Sequence, residues 1–165
     1  MQSEHAQTFV GENQVNLACF ETDGRIYALD VSQVREIVRW QAVTPLPMAP
    51  RLIEGVIDLR GAVIPVVDLS RVLGGEAAEV TEQSRIVVLD CDGLVLGLCV
   101  ASATDVLSVD ASRLEDVPEL ASQAGYDAVR HVVRRPDAQP VMVISLEHIL
   151  ENVYKSAIAG PEDNR

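Results

Sequence analysis

Gly55-Val56-Ile57-Asp58-Leu59-Arg60-Gly61-Ala62-Val63-Ile64-Pro65-Val66-Val67-Asp68-Leu69 decides how this chain folds. It reads as an apolar strand, an Arg-Gly corner and a second apolar strand. An aspartate closes it, able to cap a turn that begins at Leu69. Gly61 supplies the positive φ or close backbone approach that such a corner needs. Nothing in the stretch reads as a nucleophile, a general base or a metal ligand. It presents a shaped surface on a β scaffold, which points to a binding module.

Outward from this hairpin the pattern stays β, in short apolar runs between turn signals. Residues 15–21 and 25–31 flank Asp23-Gly24 as a hairpin, and 34–40 continue as a strand. Pro45, Pro47 and Pro50 mark a loop, because proline cannot donate to a ladder. The strands 52–59 and 63–67 follow, then at most one helical turn before Gly74-Gly75. Residues 76–83 are a polar linker. A second Asp-Gly hairpin (85–89, 94–100) and a strand at 106–109 come next. Residues 114–127 read as a loop, and 129–133 and 141–144 as strands about a turn at Pro136. Leu146, Ile149, Leu150, Val153 and Ala157 recur at helical spacing behind Ser145, a plausible N-cap. Gly160-Pro161 stops that helix.

The two halves repeat one plan. A shift of 69 places Asp23-Gly24 on Asp92-Gly93, Leu29 on Leu98, Val31 on Val100 and Ile37 on Val106. A shift of 77 places Ile64, Val66, Val67 and Leu69 on Val141, Val143, Ile144 and Leu146. Two small, similar β-lobes are expected, meeting near the 74–83 link. Closing each into a barrel removes exposed strand edges. Lobes this small should pack on one another, helped by the terminal helix, with a cleft at their seam.

Composition narrows the function classes. The chain has 165 residues, 48% of them apolar, enough for a real core. Only 4% are aromatic, which weakens base stacking or a sugar platform. A net charge of −12 repels nucleic acid and anionic membranes and suits a cationic partner surface. No run of 18 apolar residues exists, and the first residues lack a targeting pattern, so a cytoplasmic protein is expected.

Catalytic constellations are missing from the sequence. His5, His131 and His148 have no ligand spacing, and Cys19, Cys91 and Cys99 make no zinc knuckle. A turn at Asp92-Gly93 sets Cys99 opposite Ile86 rather than Cys91, so no disulfide should cross that hairpin. The cysteines read as small buried hydrophobes. Asp58 and Asp68 flank the corner, but Asp68 more simply caps the next turn and Asp58 faces solvent. No serine lies in a G-x-S-x-G setting, and no phosphate loop is present. Arg60 is either an exposed arginine with its stem on apolar surface or an interface arginine whose fork engages a partner carboxylate. Val34, Glu36 and Ile37 pose the same choice between an interface role and a simpler one, with Val34 and Ile37 as core and Glu36, between Arg35 and Arg39, as a surface charge.

The run from Gly55 to Leu69, with Gly74 after it, resembles the signature of CheW-like domains. Supporting pieces are Ile26-Tyr27-Ala28-Leu29, Val34-Arg35-Glu36-Ile37, Pro45-Leu46-Pro47 and Arg85-Ile86-Val87-Val88-Leu89, and the match covers 13–155. The resemblance implies a mainly all-β protein of two SH3-like five-stranded β-barrels around a shared apolar core, with a short C-terminal helix. The lobes are approximately 13–75 and 84–155, with strand exchange between them left open, and 1–12 and 160–165 are flexible termini.

By the same resemblance the chain is no enzyme and needs no cofactor or metal. It is a cytoplasmic adaptor, recruited to receptor arrays and monomeric when isolated. It links the regulatory domain of a CheA-type histidine kinase to the cytoplasmic tip of methyl-accepting receptors. Val34, Glu36, Gly55, Arg60 and Gly61 match positions tied to protein contacts, whereas Ile37, Ile57 and Val66 match core or supporting positions. The second lobe departs from the pattern, with Val100-Ala101-Ser102-Ala103 lacking the usual acid, Ile144-Ser145 in place of Leu-Asp, and Arg130-His131 where Gly-Val is usual. A divergent array, a motility pathway or a type IV pilus pathway fits these departures equally. The alternative is a kinase-independent sensor or peptide-binding module that uses the cleft between the barrels.

Overall fold

Three tight turns fix the registers. A computed structural model describes residues 13–118 and 128–159, with side chains followed as far as Lys155. In chain order the strands are β1 (Gln14–Thr22), β2 (Arg25–Asp30), β3 (Val34–Arg39), β4 (Ile53–Leu59) and β5 (Ala62–Asp68). The one-turn helix α1 (Leu69–Val72) follows. Then come β6 (Arg85–Cys91), β7 (Leu94–Val100), β8 (Ser102–Asp110), β9 (Glu115–Asp116), β10 (Val129–Arg135), β11 (Ala138–Ile144) and the helix α2 (Leu146–Ala159). Asp23-Gly24, Arg60-Gly61 and Asp92-Gly93 each hold two successive residues at positive φ. That is the conformation whose twist matches antiparallel strands, and each pair closes a hairpin. Asp58 and Asp90 lock two of the corners by accepting from the Gly61 and Gly93 N–H groups at 2.8 and 2.9 Å.

The sequence repeat is a structural repeat with exchanged parts. One sheet runs β8-β1-β2-β11-β10-β9 and the other β3-β6-β7-β5-β4. Each half of the chain lays its first hairpin in one sheet and its later strands in the other. The parallel pairings at the exchange agree residue by residue. Ala28 of β2 pairs with Val143 of β11, and Gly97 of β7 with Val66 of β5. These partners are related by the same shifts of 69 and 77 that align the sequence halves.

Neither sheet closes into a barrel, which corrects the expectation of two closed five-stranded barrels. The six-stranded sheet ends at β8 and β9, and the five-stranded sheet at β3 and β4. Across the second gap, among the described residues, runs one isolated bridge, Thr44 to Val56, with both N···O distances 2.9 Å. The physical reason lies in the chain after β3, where Pro45, Pro47 and Pro50 have no N–H to extend a ladder.

Three apolar clusters hold the molecule. The largest joins the sheets: Phe20, Tyr27 and Leu29 from one meet Val67, Val87, Leu89, Leu96 and Leu98 from the other, with Leu146 and Ile149 of α2 over them. Burial of side chains this size stabilises by about 1.5–3 kcal/mol each. Each sheet adds a cluster of its own, around Leu17 and Val141 in one and around Ile57, Val66 and Ile86 in the other. The expected shared core is therefore present, while Ile57 and Val66 are buried in the five-stranded sheet's own cluster. The N-caps also match expectation. Asp68 accepts from the Arg71 N–H at 3.2 Å, and Ser145 Oγ accepts from the His148 N–H at 3.2 Å. The expected helix stop at Gly160-Pro161 and most of the 114–127 loop lie outside the described residues.

The cysteines are free, and Cys99 sits opposite Ile86 as the turn requires. Burial pushes the Cys19 thiol up from its ordinary value and the Cys99 thiol up to about 12. Because the thiolate is the reactive form, a disulfide reagent at pH 8 should label Cys91 quickly in the native protein. Cys19 and Cys99 should react at the unfolding-limited rate, and mass spectrometry of a short labelling pulse checks this.

Candidate partner-binding surface

β3 and β4 are the two edges of the five-stranded sheet, and no ladder joins them. Their side chains nevertheless meet. Arg60, at the tip of the β4–β5 corner, donates from its guanidinium to the Glu36 carboxylate of β3. Both side chains keep contact with solvent, so this pair adds at most about 1 kcal/mol to stability. What it does is bring the two groups together across edges that no ladder joins. Apolar side chains adjoin it in sequence: Ile37, next to Glu36, is 41% exposed, and Val63, just past the corner, is 69% exposed. Ile37 is thus a surface residue; of the two readings the sequence left open for it, core or interface support, its exposure excludes core. Arg35, also exposed on β3, reaches Asp90 of β6 at 3.8 Å.

The remaining predicted site residues have backbone and packing roles. Val34 is half-buried against the shared core. Gly61 has a φ of 88° with open space where a Cβ would stand. Gly55 is buried, with a φ of 153°, and a Cβ there would lie 2.2 Å from the Thr44 carbonyl oxygen. Its bareness is what lets the proline-rich loop reach β4 through the Thr44–Val56 bridge. Gly55→Ala must break that bridge and should lower the melting temperature by roughly 4–10 °C. Gly61→Ala, which meets no neighbour, should cost less, about 1 kcal/mol. Thermal unfolding of the two variants side by side checks the order.

Sequence reasoning named both Glu36 and Arg60 but not their pairing. The two are far apart in sequence, on strands that share no ladder, and charge patterning carries no signal at such a separation. Among the described residues, no three His, Cys, Asp or Glu side chains gather to hold a metal. None of the described helices is long and apolar enough to cross a membrane.

The exchanged two-sheet scaffold, with an ion pair mounted on its edges, defines a β protein built to present a surface. Residues 16–153 match the family model of the CheW-like domain. The chain belongs to that family, whose members are non-catalytic scaffolds, and it is an adaptor of the chemotaxis signalling class. Two relatives are each 33% identical to it. The chemotaxis protein CheW of Rhizobium meliloti aligns over 86% of this chain and 90% of its own length. The chemotaxis protein CheW of Bacillus subtilis aligns over 79% and 81%. The crystal structure of the scaffolding protein TtCheW from Thermoanaerobacter tengcongensis superposes with a TM-score of 0.73 at 28% identity, covering 82% of this chain and 86% of that one.

Proposed function

We propose that this chain couples the regulatory domain of a CheA-type histidine kinase to the cytoplasmic tip of methyl-accepting receptors. The observation that carries this reading is the Glu36–Arg60 pair, held on unladdered sheet edges, with Ile37 and Val63 exposed close to it in sequence. An arginine already held in an ion pair loses little freedom when it meets a partner. Val34, Gly55 and Gly61 shape the surface around it: one packs beneath the edge strand, one admits the loop, and one turns the corner. The protein acts as a monomer when isolated and is drawn to membrane-associated receptor arrays through its partners. Signal passes as a change in the relative placement of kinase and receptor, so the adaptor needs no chemistry of its own.

Reconstitution tests the coupling. Kinase autophosphorylation is measured with receptor-bearing membranes, with and without the folded adaptor. A rise that requires receptor and adaptor together is expected. Kinase activity indifferent to the adaptor contradicts the assignment.

A further inference from the structure

At the other end of β5 from the Arg60 corner, about 20 Å along the strand, the five-stranded sheet opens into a cavity of about 290 Å³. Asp68 lies on its floor, only 5% exposed. Its carboxylate accepts from backbone N–H groups, Arg71 at 3.2 Å and Ala78 at 3.3–3.4 Å, with the Ser70 N–H also turned to it. Among the described residues no side-chain cation pairs with it. The nearby Arg71 turns its guanidinium to Glu54 and to the Arg51 carbonyl. Glu54 and Glu79 also line the cavity, and no lysine, arginine or histidine does. The rest of the wall is largely apolar and includes Trp40 and Val43.

We propose that this cavity is a binding site for one small organic cation, a guanidinium or alkylammonium group with a short apolar stem. The size admits little more than that, since ligand pockets begin near roughly 300 Å³. A buried carboxylate with only backbone donors retains lone pairs for a charged donor, and a cation beside it offsets the desolvation that it now bears. Burial holds the Asp68 carboxyl above its ordinary range, as expected of an acid that lacks its counter-charge. Trp40, which also lines the cavity, adds an aromatic ring of the kind that attracts a cation. The site is separate from the Glu36–Arg60 surface, and nothing in its argument depends on the kinase reading.

Trp40 is the one tryptophan of the chain, so its fluorescence reports on the cavity. The probe is methylguanidinium chloride, with neutral methylurea and equal sodium chloride as controls. A saturating change with methylguanidinium alone is expected. Asp68→Asn should weaken it at least tenfold, since asparagine still caps α1 but carries no charge. Ala78→Leu, which fills the space, should abolish it while leaving the fold intact by circular dichroism. An unsaturable response, an equal response to methylurea, or full affinity in Asp68→Asn overturns the proposal. Repeating the titration with the CheA-type regulatory domain bound separates two sources of the cation. A blocked response means that a partner's arginine or lysine occupies the cavity, and an unchanged one means a free small molecule.

Discussion

Val66→Asp should leave the protein without a cooperative melting transition. Val66 is fully buried in the middle of β5, among Ile57, Ile64, Ile86 and Val88. Its ladder partners are Gly55 on one side and Gly97 on the other, so no neighbouring side chain there supplies a donor. An unpaired carboxylate in such a place costs several kcal/mol whether it stays charged or takes up a proton. Domains of this size have about 5–15 kcal/mol in all. Val66→Ala removes volume without adding charge and should remain folded, at a cost of about 2–3 kcal/mol. Thermal and urea unfolding of the two variants separates charge from cavity. A Val66→Asp protein that melts within a few degrees of the wild type contradicts the burial of this strand.

The second large effect falls on binding and leaves the fold alone. Arg60→Glu should unfold at nearly the wild-type temperature, because an exposed ion pair contributes little. Its affinity for the kinase regulatory domain or the receptor tip should drop by roughly 10- to 100-fold, the range of an interface arginine. The informative variant is the exchange Glu36→Arg with Arg60→Glu, which restores a bridge of reversed polarity. If the pair served only to brace the two edges, the exchange would recover binding. An arginine that touches the partner should leave the double variant as weak as the single one. Titration calorimetry on the three proteins reads this directly.

Much of the architecture was legible in the sequence because turn chemistry is local. Asp23-Gly24, Arg60-Gly61 and Asp92-Gly93 specify positive φ at known positions, and strand registers follow from them. The repeat was legible for a related reason, since its aligned turns carry aligned apolar runs. Two features were not. Closure into barrels was inferred from the cost of free edges, but three prolines after β3 leave one isolated bridge, Thr44–Val56, across that gap. Whether Ile37 is core or interface support stayed open because strand alternation shows which residues share a side, not which side faces the interior. On β3, Val34 and Val38 are half-buried against two different clusters, while Arg35, Ile37 and Arg39 are exposed.

The candidate site was legible only in its members. Glu36, Arg60 and Gly55 stood out through resemblance, while their physical roles came from the packing of distant segments. Gly55 is the clearest case. In the sequence it is one more strand glycine. In the fold it is the point where the Thr44 carbonyl comes too close for any Cβ. Asp68 shows the reverse. Its capping role is local and was read correctly, but the cavity above it is formed by Trp40, Ala78 and Cys99, which meet only after folding.

Isothermal titration of this protein against the regulatory domain of the CheA-type kinase from the same organism, at two salt concentrations, tests the adaptor reading most directly. Saturable one-to-one binding is expected, weaker at the higher salt if the acidic surface takes part. No heat of binding at either salt, from protein shown to be folded, contradicts it.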